Sequence, residues 1–415
     1  MTHSLSARAE KLLAAPPLPE YIAAHFERAA DSWDPATNTD GYVAMCVAEN
    51  KLVWDLLEPR FAECRHLEHY SIGYDAMVGA LPFREVLAGF MSRTLLGRKV
   101  LPENLAVFNG AGSVLELIFY VLCDPGDGVL VPTPSYTGFW ADLETRDEVK
   151  IIPVHCSSED GFALTREHLD AALANADRPV KALLYTNPNN PLGCVYSAAE
   201  VDDILSWAQE NEIHVVLDEI YALSVHGDVE FTSGAHLRSD MGEWLHIVWA
   251  FSKDFGLSGL RSGVLFSENE RVLRAVDALA MWASTSGDTQ SLLRQLLADE
   301  AWVAGYLTEN KKRLGEAYRR VTAVLDEYGI EYIPAEAGFF FLVDVRPLMD
   351  EVTWEAEERL WRHLLDELNI NLTPGDACHN GEPGFMRLVF TSVPTDAAVE
   401  GVHRLGRYAR SLASA

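Results

Sequence analysis

Between residues 105 and 250 the chain alternates short apolar runs with amphipathic segments, a pattern that few folds accept. Apolar runs at 105–108, 128–131, 149–153, 180–186, 213–218 and 245–250 have the length of strands. The stretches 113–123, 166–175 and 198–210 repeat apolar residues at helical spacing, as does 82–96 before them. A strand that is apolar throughout needs cover on both faces, and a helix between two strands lets them run parallel. The expected fold class is therefore α/β, a mainly parallel sheet between two helical layers. Ligands of such sheets bind at the carboxyl ends of the strands.

The flanks are less regular. Residues 1–40 are polar and carry Pro16, Pro17, Pro19 and Pro35, which suggests a short helix, a turn and an extended arm. Then YVAMCVAENKLVWDLL (42–57) reads as an apolar run, an Ala-Glu-Asn step and a helix carrying Leu52, Val53, Leu56 and Leu57. Residues 290–328 read as one long helix with charged faces. Beyond it come strands at 331–333, 339–344 and 386–390, flanked by helices at 353–367 and 395–412. We expect a large unit over 51–300 and a smaller α/β unit over 301–415 that includes the linking helix. Residues 1–50 would form the arm and part of the smaller unit.

Composition narrows the function. A chain of 415 residues, 48% hydrophobic, sustains a large core and more than one domain. No apolar run reaches membrane-spanning length, and MTHSLSARAEKLLAAPPLPEY lacks the apolar core of a secretory signal. The 33 basic and 62 acidic residues leave a net charge of −29, which argues against nucleic acid or an anionic membrane as partner. Six cysteines without CxxC spacing suggest reduced thiols and a cytoplasmic protein. Cys64, His66 and His69 lie close together, but no second cluster completes a metal site, so no metal is expected.

Six stretches carry the chemistry, the first five at strand ends. VFNGAGSVLE (107–116) sends a strand through a glycine turn into a helix start, where backbone N–H groups and the helix dipole favour a phosphate; Ser113 is the expected cap. PTPSYTGF (132–139) presents Tyr136, an aromatic ring able to stack on a flat heteroaromatic cofactor or simply to pack under a loop. YTNPNNPLG (185–193) fixes a turn bearing Asn190, an amide donor for a phenolate oxygen. VVLDEIYA (215–222) ends a strand in Asp218. A carboxylate there needs a cation, and a protonated pyridine nitrogen is one; Tyr221 follows it. WAFSKDFGLSGLRSG (249–263) places Lys253 where it can hold an aldehyde as a Schiff base and act as a general base, with Arg261 as a phosphate clamp. EPGFMRLVF (382–390) starts a strand with Arg387, whose fork suits an α-carboxylate.

Taken in order, these stretches resemble fold-type I pyridoxal-5′-phosphate (PLP) enzymes of the aspartate aminotransferase superfamily. They are most similar to 1-aminocyclopropane-1-carboxylate (ACC) synthases. VAENKLVWDLL, PTPSYTGFWADL and SKDFGLSGLRSG favour that branch. The resemblance implies PLP held by Lys253, with Asp218 on the pyridine nitrogen and Tyr221 and Asn190 at the phenolic oxygen. It implies that Tyr136 stacks on the ring. Arg261, Ser252 and the Ala111–Gly112–Ser113 turn would hold the phosphate. Arg387 would take the substrate carboxylate, with Asn190 and Tyr136 lining the substrate site. Glu49 matches the glutamate associated with S-adenosylmethionine.

There are departures from the family pattern. Ala250 stands where a serine or threonine is usual, and Gly112 where ACC synthases carry threonine. Met77 and Val78 stand where those enzymes have Tyr-His, and Tyr74 fits a tyrosine that reaches the phosphate from a neighbouring subunit. The function implied is Cα deprotonation of S-adenosylmethionine with release of methylthioadenosine by a homodimer. The product is ACC, or the result of C4-fragment capture by a second nucleophilic substrate. The alternative is an aminotransferase of an aromatic or neutral amino acid.

Overall fold

The computed structural model describes residues 5–414 apart from residue 239; Met1–Ser4 of the expected arm lie outside the described residues. Its strands in chain order are β1 (Val43–Ala44), β2 (Leu105–Phe108), β3 (Gly128–Thr133), β4 (Lys150–His155), β5 (Val180–Thr186), β6 (His214–Asp218), β7 (Leu245–Ala250), β8 (Gly263–Ser267), β9 (Phe340–Asp344), β10 (Ile370–Asn371) and β11 (Phe385–Val389). A seven-stranded sheet in the order β2-β8-β7-β6-β5-β3-β4 is the centre of the molecule. Its neighbours pair in parallel except around β8, which runs antiparallel to both β2 and β7. Reversing one strand leaves the carboxyl ends of β2, β3, β5, β6 and β7 on one edge. The α/β class read from the sequence is thus observed.

The apolar strands are covered on both sides, as their composition demands. One face packs on helices Leu81–Phe90, Ala198–Glu210 and Gly287–Leu297, with Leu183, Val215, Leu217 and Trp249 at the contact. The other packs on Ala111–Leu122, Phe139–Glu144 and Glu270–Leu279 through Val129, Leu184, Val216 and Val248. Helix Ala198–Glu210 starts on a capping box in which Ser197 and Glu200 satisfy each other's backbone N–H, a purely local signal. A further core joins Tyr21, Val43 and Met45 to Leu314, Phe341, Trp361 and Val402. There β1 pairs with β10 and β9 with β11.

Several sequence expectations need correction. The helix expected over 290–328 is two helices, Gly287–Leu297 and Glu300–Tyr328. Ser286 caps the first, and the Asp299 carboxylate accepts the Trp302 N–H at 3.0 Å to start the second. The helix expected at 113 starts at Ala111 with Gly110 at its cap, so Ser113 lies in the first turn and does not cap it. The stretch 82–96 is α-helical only to Phe90 and continues as a π-turn over Met91–Leu95. Leu52 and Val53 precede helix Trp54–Cys64, and the strand at 331–333 shrinks to a bridge between Tyr332 and Val343. β8 was not expected: only the four-residue helix Phe251–Asp254 and a turn at Ser258–Leu260 precede its short run GVLFS, too little to show a helical period.

Asn310, in the long helix, is fully buried and ties the fold to the functional edge. Its Oδ1 accepts the Asn50 amide at 2.8 Å, and its Nδ2 donates to the Asp254 carbonyl at 3.3 Å. Asn310→Ala leaves both partners buried and unpaired, so it should lower the unfolding free energy by about 1–3 kcal/mol. Urea unfolding checks this through a lower midpoint at unchanged slope.

Candidate active site

The strand ends bring the candidate residues together. β7 is buried along its whole length, and the chain then turns into the short helix Phe251–Asp254 that carries Lys253. The Lys253 amine donates to the Ala48 carbonyl at 2.7 Å, so the Ala-Glu-Asn segment forms its roof. Desolvation and the charge of Arg387 pull the Lys253 pKa down to about 8, against the opposite pull of Glu49 and Asp218. Asp218 ends β6 one strand over and is buried, with the Ile220 N–H as hydrogen-bond donor at 3.1 Å. Burial pushes its pKa up to about 7, and Lys253 works against that shift. The neighbouring acids have other tasks. Glu219 accepts from Ser233 at 3.0 Å and the Gly234 N–H at 2.8 Å; Asp254 accepts from Ser224 at 2.6 Å and Trp249 at 2.8 Å.

At the end of β2 the chain forms an anion cradle. Gly110 has φ 109°, a conformation open to glycine, and it leads into the N-terminus of helix Ala111–Leu122 with Gly112 and Ser113 in the first turn. The Arg261 guanidinium lies against Gly110 so closely that a Cβ there would collide with its Nη2. Arg261 itself has φ 51° and donates Nη1 to the Ser258 carbonyl at 3.1 Å. β8 closes the back: a Cβ on Gly263 would strike the Gly110–Ala111 peptide. Asp142 stands beside the cradle, its Oδ1 3.4 Å from where a Cβ on Gly112 would sit. Burial pushes the Asp142 pKa up to about 6, and Arg261 opposes that shift. Ser252 is buried next to Lys253.

The opposite wall is built on Arg387 in β11, which is 2% exposed. Its Nη1 donates to Asn190 Oδ1 at 3.0 Å, and Nη2 donates to the Cys46 carbonyl at 2.8 Å and Thr373 Oγ1 at 3.0 Å. Its Nε is buried without a partner, and the guanidinium lies over the Phe340 ring. No carboxylate forms an ion pair with it among the described residues. Tyr221 is fully buried and meets Phe339 and Phe340 edge to face at 5.3 and 5.1 Å. Tyr136 is partly exposed and packs edge to face on Phe139 at 5.2 Å. Glu49 is partly exposed, 3.8 Å from the Lys51 amine.

Tyr74 is not at this site within its own chain. It is 99% exposed and lines a separate cavity of about 500 Å3 with Met77, Met281, Thr285 and Gln290. Met77 and Val78 are partly buried and pack against the sheet core. Sequence reasoning missed Tyr21, whose hydroxyl is 2.9 Å from Thr137 Oγ1 and which feels the charge of Arg387. It sits in a proline-rich stretch with no local mark of function. Asp142, Cys46 and Thr373 were missed likewise.

The donor set fits pyridoxal phosphate. Lys253 offers an amine for its aldehyde, and a helix N-terminus with Arg261 suits its phosphate. Asp218 is a buried carboxylate in need of a cation such as a pyridinium N–H.

Comparison with known proteins agrees. Residues 62–405 match the family model "Aminotransferase class I and II". The chain is 37% identical over 376 residues to 1-aminocyclopropane-1-carboxylate synthase 11 of Arabidopsis thaliana, covering 86% of this chain and 81% of that protein. It is 36% identical over 404 residues to 1-aminocyclopropane-1-carboxylate synthase 3 of Oryza sativa subsp. japonica, covering 91% and 89%. An aspartate aminotransferase of Thermus thermophilus superposes with a TM-score of 0.80 at 21% identity, covering 97% of this chain and 99% of that one. The aromatic aminotransferase of Pyrococcus horikoshii superposes at 0.78 with 21% identity, covering 90% and 96%. The chain therefore belongs to the aminotransferase class I and II family, is similar within it to ACC synthases, and is a pyridoxal-phosphate-dependent enzyme.

Proposed function

We propose that the enzyme converts S-adenosylmethionine to 1-aminocyclopropane-1-carboxylate and methylthioadenosine. The observation that carries this reading is the meeting of three charges at one edge of the sheet. Lys253 has a lowered pKa, Arg387 is a buried cation without an acid partner, and Glu49 is a partly exposed carboxylate whose charge reaches Lys253. An α-carboxylate suits Arg387, a sulfonium suits Glu49, and a free amine suits removal of a Cα proton.

The residues divide the work. Arg387 and Asn190 fix the substrate carboxylate. Lys253 Nζ takes the Cα proton. When bound, pyridoxal phosphate supplies a conjugated ring that takes up the electron pair left at Cα. That pair then forms the Cα–Cγ bond while the Cγ–S bond breaks, and the sulfur leaves with its electrons as neutral methylthioadenosine. Asp218 would hold positive charge at the cofactor's pyridine nitrogen, Tyr221 and Asn190 would hold its phenolic oxygen, and Tyr136 would pack on its ring. Ser252, Arg261 and the first turn at Ala111–Gly112–Ser113 would hold its phosphate.

The same reading includes a homodimer in which Tyr74 reaches the partner's phosphate site. Its support is the exposure of Ile72, Tyr74, Met281 and Trp282 on one chain. Residues 51–300 would form the cofactor-binding unit, and 301–415 with the arm at 1–50 the smaller one. No helix among the described residues is long and apolar enough to cross a membrane, and all six cysteines are free, which supports a cytoplasmic location.

Incubation with S-adenosylmethionine should give methylthioadenosine and ACC in equal amounts by mass spectrometry. A 2-oxo acid with the sulfonium intact identifies an aminotransferase and overturns the reading. Methylthioadenosine without ACC points to capture of the C4 fragment by a second nucleophile. Glu49→Gln should raise KM for S-adenosylmethionine by about tenfold at unchanged cofactor absorbance.

The rate at which apoenzyme recombines with the cofactor provides a second check. Because the Lys253 pKa is lowered, its free amine is present above about pH 8, so the rate should climb with pH and level off past that midpoint. A midpoint near the ordinary lysine value of 10.5 would contradict the burial argument.

A further inference from the structure

One carboxylate outside the site holds both ends of a loop that leans on it. Glu357, in helix Trp354–Asp366, is 1% exposed. Its Oε1 accepts the Asp376 N–H at 3.1 Å and its Oε2 the Gly384 N–H at 2.6 Å. The loop between them is drawn in tightly: a Cβ on Gly375 would sit 3.1 Å from the same carboxylate. A buried acid accepting backbone N–H groups is a strong anchor, because its desolvation is compensated only while both donors stay in place.

This loop touches both the wall that carries Tyr136 and the turn that follows β4. The Cys378 carbonyl accepts the Ser135 N–H at 2.9 Å. The His379 ring stacks on Trp140 with centroids 3.4 Å apart and planes 20° apart. The Glu382 carboxylate accepts the Ser158 N–H at 2.6 Å and its hydroxyl at 2.8 Å. On either side of the loop, Thr373 and Arg387 exchange both backbone hydrogen bonds, at 3.0 and 2.9 Å. Thr373 also accepts from the Arg387 guanidinium at 3.0 Å. The loop thus connects the arginine's strand to the Ser135–Trp140 wall, and Glu357 fixes its length.

We propose that Glu357 is a positioning residue for substrate binding: by clamping residues 375–384 it sets how far Arg387 stands from the Tyr136 wall. Glu357 touches neither substrate nor cofactor. The inference rests on the reading that Arg387 receives the substrate carboxylate. Loosening the clamp misplaces the guanidinium relative to the wall, which weakens ground-state binding and leaves the proton-transfer apparatus at Lys253 and Asp218 intact.

The test compares Glu357→Gln, Glu382→Gln and Arg387→Lys in the holoenzyme, with S-adenosylmethionine as substrate. Glu357→Gln should raise KM by about tenfold, keep kcat within about threefold and leave cofactor affinity unchanged. Glu382→Gln, which removes one of the two acceptors for Ser158 at the loop's outer side, should move KM the same way by a smaller factor. A rise in KM for Arg387→Lys with none in either glutamate variant overturns this inference alone. No rise in Arg387→Lys overturns the carboxylate reading and this inference with it. If Glu357→Gln does not fold, Glu382→Gln decides: an unchanged KM in that variant overturns the proposal.

Discussion

A buried guanidinium with no acid to neutralise it is the condition on which the rest of the site depends. Arg387 finds three oxygen acceptors, on Asn190, Cys46 and Thr373, and all belong to neutral groups. Burying a charge without a counter-charge is costly, and a protein keeps such an arrangement where a ligand supplies the missing charge. The same charge shapes its surroundings. Burial lowers the pKa of Lys253 and the Arg387 charge adds to that shift, so that an amine ordinarily protonated near neutral pH comes within reach of deprotonation. Asp218, raised by burial, completes the opposite end of the arrangement.

The fold assembles these groups from segments far apart in the chain. Lys253, Asp218 and Asn190 lie where parallel strands end, so the sheet register alone brings them to one edge. Arg387 comes from a different sheet, and its place depends on contacts that bridge the two. The segment 46–50 does much of that bridging. Cys46 accepts from Arg387, Ala48 accepts from Lys253, and Asn50 reaches Asn310 in the long helix. The Ala-Glu-Asn step is therefore a structural seam as well as the carrier of Glu49.

What was legible in the sequence was what local patterns encode. The strand at 180–186 and the helix at 198–210 match their expected bounds because apolar runs and a capping box mark them within a few residues. The site residues on strand ends were legible for the same reason. β8 was not, since the four-residue helix Phe251–Asp254 ahead of this antiparallel return strand is too short to show a helical period. The break at Asp299 was hidden because one acidic cap looks like any charge on a charged helix. Tyr21 and Glu357 matter through partners more than 100 and about 20 residues away respectively, and no local spacing reports such pairings. Tyr74 was legible as a candidate, yet its chain alone leaves it facing outward.

On the proposed reading, the unpaired charge of Arg387 is reserved for a substrate carboxylate. Binding of S-adenosylmethionine and of its carboxamide, followed by the absorbance of the bound cofactor, tests it directly. A hydrogen-bonded charge pair contributes about 1.5–3 kcal/mol, so the carboxamide should bind at least about tenfold more weakly to the native enzyme, and Arg387→Gln should erase that preference. Equal affinity of the native enzyme for the two ligands would contradict the account.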